Sequence, residues 1–196
     1  MDKLGPRIAA IAEGLGREEP IRRVARETAS VAVMIGPGEE ILLIRRADRE
    51  GDPWSGDIAL PGGRVEAGDA SFSAAAAREA REEVGVDLDA DARFLGYMAP
   101  FQARRRGIWV VPSVFVITGD VSVQRNGEAS SHMWVPLGEL LARGNRSTHR
   151  LELGGEERSF PSFDLQGYVV WGLTERILSS LVESIEKKKN NNNESI

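Results

Sequence analysis

The chain has 196 residues, 41% hydrophobic and 28% charged, with a formal net charge of −5 and no cysteine. That suffices for one domain with a sizeable core. The acidic balance excludes a basic nucleic-acid groove as the main surface, and the missing thiols exclude disulfides, zinc–thiolate sites and thiol catalysis.

No apolar run approaches the ~20 residues of a membrane span, and the first twenty residues lack the continuous apolar core of a signal peptide. The expectation is a cytoplasmic protein that engages neither membrane nor nucleic acid. Residues 3–28 read as helical, broken near Gly14, Gly16 and Pro20, and form an N-terminal extension over 1–28. "ASVAVMIG" (29–36) reads as a buried strand and "ILLIRR" (41–46) as its hairpin partner. A loop follows over 47–56, then a short extended piece, "DIALP", over 57–61.

The next element is a helix. Asp69 or Ser71 can cap it, the alanines 74–77 favour it, and Gly85 stops it. Phe72, Ala76, Ala80 and Val84 share one face. "ARFLGYM" (92–98) and "GIWVVPSVFVITG" (107–119) read as strands, the second at an edge or bulge because of Pro112. "HMWVPL" (132–137) is extended, "GELLARG" (138–144) a short helix, and 145–165 a loop-rich stretch. "GYVVWGLTERILSSLVESIEKKK" (167–189) begins extended and becomes an amphipathic helix, and the polar tail, 188–196, reads as disordered. Strands alternating with helices in one unit imply a mixed sheet between helical layers.

Glu79, Glu82 and Glu83 crowd one turn of that central helix. At about 100° per residue the three carboxylates share one arc of ~100°. Like charges at this spacing repel by a few tenths of a kcal/mol per pair, and the helix dipole is negative toward this end. Hard oxygen donors so clustered suit Mg²⁺ or Mn²⁺. Arg78, four residues before Glu82, can orient one of them. Taken alone, "REAREE" also fits a solvated face with Arg78 and Arg81 as counter-charges. The context favours the metal: Pro61, Gly62 and Gly63 precede the helix, where glycines let backbone N–H groups approach a phosphate. Glu66 and Asp69 lie in the loop between.

Residues 63–86 resemble the Nudix box, whose usual form is G-x5-E-x7-R-E-U-x-E-E-x-G-U with U apolar. Arg78, Glu79, Ala80, Glu82, Glu83, Gly85 and Val86 match its second half at every fixed position. The first half departs twice. Asp69 replaces a glutamate, and eight residues rather than seven separate it from Arg78. The resemblance implies an α/β (α+β) fold, a Nudix-type α/β/α sandwich with a mixed sheet between helices, spanning 29–187. It also implies metal-dependent hydrolysis of a pyrophosphate linkage in a nucleoside diphosphate derivative. Glu79 and Glu83 match the firmest metal ligands, and Glu82 a third ligand or an Arg78-held group, so Arg78 and Glu82 join the catalytic set. Gly62, Gly63, Arg46 and Arg64 are the residues expected to meet substrate. The general base varies in the family. Glu128, six residues before Trp134, resembles a loop glutamate that swings onto a metal, and reads equally as a solvated acid. Asp69 reads as a helix cap.

The "LPGGR" run with Asp69, and "GYVVWGLTERIL", resemble the coenzyme A diphosphatase branch. Coenzyme A or acyl-CoA is therefore the favoured substrate. That branch usually carries an arginine where this chain has Asp52, which keeps ADP-ribose, NADH, dinucleoside polyphosphates and nucleoside triphosphates open, together with a non-catalytic ligand sensor. Arg104, Arg105 and Arg106 read as a solvated loop, His132 and His149 as isolated, and Trp54 and Trp109 as core aromatics or base-stacking groups. A homodimer is compatible with the family.

Overall fold

The computed structural model describes residues 4–24, 27–51, 54–103 and 107–193. In chain order its first half holds α1 (Pro6–Glu13), β1 (Thr28–Ile35), β2 (Glu40–Arg46), β3 (Ile58–Ala59), β4 (Gly62–Arg64) and α2 (Phe72–Val84). Then come α3 (Leu88–Asp91), β5 (Ala92–Tyr97), β6 (Phe101–Gln102), β7 (Trp109–Ile117), β8 (Ala129–Pro136) and α4 (Leu137–Leu141). The last elements are β9 (Arg146–Leu153), β10 (Glu156–Leu165), β11 (Tyr168–Trp171) and α5 (Gly172–Asn193).

The nearly unbroken apolar runs of β1 and β2 reflect a sheet covered on both faces. Val33, Ile35, Ile41 and Leu43 pack toward Ile8 and Ile11 of α1 and Ile177, Leu181 and Ile185 of α5. The alternate residues Ala32, Met34, Leu42 and Ile44 pack toward Ala76, Ala80 and Val84 of α2. This is the expected mixed sheet between helices: β1 runs parallel to β7 and antiparallel to β2.

The β1–β2 hairpin pairs only at Ile35 and Ile41. Below that point the two strands diverge, and the segment leading to α2 fills the gap. β3 bonds to β2 at Ile44 and Arg45. β4 bonds to β1, setting Gly62 opposite Val31 and Gly63 opposite Ser30. The glycine pair therefore lies inside the sheet, directly under α2.

Four expectations need correction. Among the described residues of the N-terminal extension, only 6–13 are helical. The described stretch from Gly14 to Val24 is irregular, apart from a bridge between Gly16 and Tyr97. Pro112 lies in a central strand, not at an edge. Its carbonyl accepts from Met98 N–H at 3.0 Å, so its missing donor faces the interruption between β5 and β6, where no ladder bond is lost. The 145–165 stretch is a long hairpin, β9 on β10, extended by β11 into a second sheet. Helix α5 runs to Asn193, well into the tail read as disordered. An ion pair between Lys188 and Glu13 joins α5 to α1.

Candidate active site

Local sequence sets the ends of α2. The Ser71 hydroxyl accepts from Ala74 N–H at 2.9 Å, and Gly85, with φ 70°, closes the C-terminus in the left-handed conformation. Phe72, Ala76, Ala80 and Val84 are fully buried. With that face pinned, the three glutamates take different environments. Glu83 is buried at 4% exposure, Glu79 is nearly so, and Glu82 is exposed. A solvated charged face thus describes only one of the three.

The glycine pair is what admits the buried two. Gly62 N–H donates to Glu83 Oε2 at 2.9 Å. A Cβ on Gly62 would lie 2.4 Å from the Ser30 carbonyl oxygen and 2.6 Å from Val31 Cα. One on Gly63 would lie 2.3 Å from Glu79 Oε1. The Gly62 N–H, expected to face a phosphate, is here engaged by a carboxylate; Gly62 makes room for β1 and Gly63 for Glu79.

Arg78 organises the rest. Its Nε and one terminal nitrogen grip Asp69 bidentately at 3.1 and 3.2 Å. Its other terminal nitrogen reaches Glu79 at 2.9 Å and Glu82 at 3.4 Å, and the Arg64 carbonyl accepts at 3.0 Å. Asp69 is therefore no helix cap; Ser71 fills that place. Asp69 Oδ2 accepts from Glu66 N–H at 2.7 Å. Burial opposes the Asp69 charge, but the Arg78 and Glu66 hydrogen bonds outweigh it and hold its carboxyl below the usual range. The hydrogen bond to Asp69 chiefly raises the Arg78 pKa.

Burial pushes the Glu83 carboxyl up to about 7, with the charges of Glu79 and Glu128 adding to the shift and Gly62 N–H and Arg46 opposing it. Glu79 is likewise raised, first by burial and then by Glu82 and Glu128, against Arg78. Arg46 and Glu128 therefore sit on the α2 side of the sheet. Glu128 pairs with Arg49 at 2.9 Å, both half-exposed. Arg64 is exposed, one residue beyond Gly63.

The donor set suits a hard divalent cation. Two desolvated acids lie side by side, and burial raises both carboxyls above the usual range even with Arg46 and Arg78 nearby. Among the described residues no three acids or histidines already surround one point. His132 lies exposed on β8, and His149 packs at a tilt against Trp171 with centroids 5.2 Å apart. Trp109 is exposed rather than core. Asp52 and the Arg104, Arg105 and Arg106 cluster lie outside the described residues. Glu19, which accepts from Phe72 N–H at the start of α2, and Arg23, which donates to the Asp69 carbonyl just before it, carry no signal in the sequence.

A mixed sheet carrying a carboxylate helix across a glycine pair presents the kind of oxygen donors that cation-assisted hydrolysis of a phosphate anhydride uses. The NUDIX domain family matches residues 25–152. The protein called "Uncharacterized Nudix hydrolase NudL" in Cronobacter sakazakii is 34% identical over 162 residues, 81% of each chain. Its namesake in Photorhabdus laumondii is 29% identical over 174 residues, 85% of this chain and 90% of that one. DR0079 from Deinococcus radiodurans shares the fold, with a TM-score of 0.53 at 22% identity over 85% of this chain and 90% of that one. The chain belongs to the Nudix family. It is a Nudix hydrolase, a pyrophosphatase of nucleotide derivatives, in a family that generally uses divalent metal ions.

Proposed function

We propose that this hydrolase cleaves the pyrophosphate of coenzyme A or an acyl-CoA with Mg²⁺ or Mn²⁺. Water adds to one phosphorus and the bridging oxygen leaves with the other, giving 3′,5′-ADP and 4′-phosphopantetheine or its acyl form. The reading of the reaction is carried by Glu83 and Glu79 seated at Gly62 and Gly63. Glu79 and Glu83, with Glu82, would hold the cation, which when bound lowers the pKa of water and screens the phosphate oxygens. Arg78 keeps Glu79 and Glu82 turned toward the site. Glu128 accepts the water proton once it leaves Arg49. Arg46 and Arg64 meet the phosphate charges.

The substrate reading is favoured by the two stretches that resemble the coenzyme A branch. Trp171 Nε1 donates to Asp57 Oδ1 at 3.1 Å, tying the "WG" strand to the segment that leads into "LPGGR". The test is product release across coenzyme A, acetyl-CoA, ADP-ribose, NADH, diadenosine polyphosphates and dNTPs, with each metal. Preference for coenzyme A supports the reading. Preference for another nucleotide keeps the reaction and moves the substrate. Binding without turnover on the whole panel overturns the catalytic reading in favour of a sensor.

A further inference from the structure

The start of α2 is held from outside the Nudix domain's own box. Glu19 Oε1 accepts from Phe72 N–H at 2.8 Å, across 53 residues of sequence. Its other oxygen accepts from Arg23 Nε at 3.1 Å. Arg23 in turn donates to the Asp69 carbonyl. The first N–H groups of a helix have no partner within it. Here Ser71 serves Ala74 and Ala75, and Phe72 is served by Glu19. A carboxylate at that place also opposes the positive end of the helix dipole.

The same chain of contacts continues into the site. Asp69 grips Arg78 through both oxygens, and Arg78 reaches Glu79 at 2.9 Å. The extension is itself anchored beside α2. Ile21 packs on the cluster of Val65, Phe72, Ala75, Tyr97 and Val111. Gly16 and Tyr97 exchange two backbone hydrogen bonds at 2.8 and 2.9 Å. The two departures from the family box, a shorter acid and one added residue, fall on the loop that the extension clamps. Asp69 turns its carbonyl to Arg23 and its carboxylate to Arg78.

We infer that Glu19 and Arg23 are positioning residues for the carboxylate helix, acting through Asp69 and Arg78 to fix where Glu79 presents its oxygens. The inference rests on Glu79 being a cation ligand. Loss of a partner behind a ligand typically costs 10–100-fold in metal affinity, and two further links dilute that.

The test uses the full chain and Mn²⁺ alone, without substrate. Calorimetry reads Mn²⁺ affinity, and amide hydrogen exchange in metal-free protein reads the first turn of α2. Arg23→Ala and Glu19→Ala should each weaken Mn²⁺ binding about 3–10-fold and speed exchange at Phe72. Arg23→Lys and Glu19→Gln, which keep a donor and an acceptor, should restore most of both. Arg7→Ala is the control for mere packing. Arg7 belongs to the same extension; its loss breaks the 2.8 Å pair with Glu39 of the β1–β2 turn and should leave Mn²⁺ affinity within about twofold of wild type. Unchanged Mn²⁺ affinity and exchange in Arg23→Ala overturn the inference, as does equal weakening by Arg7→Ala. A wild type that binds no Mn²⁺ overturns the cation-site reading on which the inference rests, and is told apart from failure of the inference because all variants then behave alike.

Discussion

Replacing Glu83 by glutamine separates the fold from the chemistry. Glu83 is 4% exposed, and burial, with Glu79 and Glu128 nearby, raises its pKa from 4.5 to about 7. The folded chain therefore prefers the protonated acid. Its stabilising effect is complete below pH ~4.5 and is lost as pH rises through ~7. A shift of this size corresponds to an upper limit on the order of 3 kcal/mol. Glutamine keeps an oxygen for Gly62 N–H and never ionises. In metal-free protein Glu83→Gln should thus match wild type near pH 4.5 and exceed it by up to ~3 kcal/mol above pH 8. For a chain of this length that is roughly 6–12 °C in Tm. Calorimetric melts in EDTA at both pH values read the difference. Mg²⁺ should raise the wild-type Tm at pH 8 far more than the variant's, while the variant loses most of its turnover. A stability difference that is the same at both pH values would refute the assignment of strain to the buried charge, and full turnover would refute the role in binding the cation.

The glycines should separate in the same way. Gly62→Ala drives a Cβ into the backbone of β1 and should cost about 3 kcal/mol or more in urea melts. Gly63→Ala meets only the end of the Glu79 side chain, so turnover should fall sharply with a smaller loss of stability. Arg78→Ala leaves buried Asp69 without its fork partner and should cost about 3 kcal/mol, whereas Arg78→Lys, which keeps the charge but not the fork, should fall between. Ser71→Ala removes a helix cap and should cost about 1 kcal/mol with turnover per folded molecule unchanged. Glu128→Gln should lower kcat in a steady-state assay without moving Tm. Unaltered kcat would remove Glu128 from the proton transfer.

How much could be read in advance depends on the range of the interaction. The span of α2, its Ser71 cap and its Gly85 stop are local, so the sequence displays them directly. The clustering of Glu79, Glu82 and Glu83 is equally local, because helical spacing is position on an arc. The buried strands β1, β2 and β7 declare themselves by apolar runs. The β9–β10 hairpin does not, since much of "RSTHRLEL" is exposed and carries no burial pattern to distinguish strand from loop. Pro112 misleads for a related reason: whether its missing donor matters depends on an interruption in the neighbouring strand, not on Pro112 itself.

The sequence by itself thus determined the element that carries the chemistry and the residue types it presents. Tertiary structure alone decided what each of those residues experiences. Glu83 and Glu82 are adjacent in sequence, yet one is sealed against Gly62 and the other faces water, because only one side of α2 meets the sheet. The glycine pair finds its partners in Ser30, Val31 and Glu79, and Phe72 N–H finds its acceptor in Glu19. Such contacts join residues tens of positions apart, and no local spacing encodes them. They are made when the sheet closes beneath the helix, which is also what takes the carboxylates out of water and sets their affinity for protons and cations.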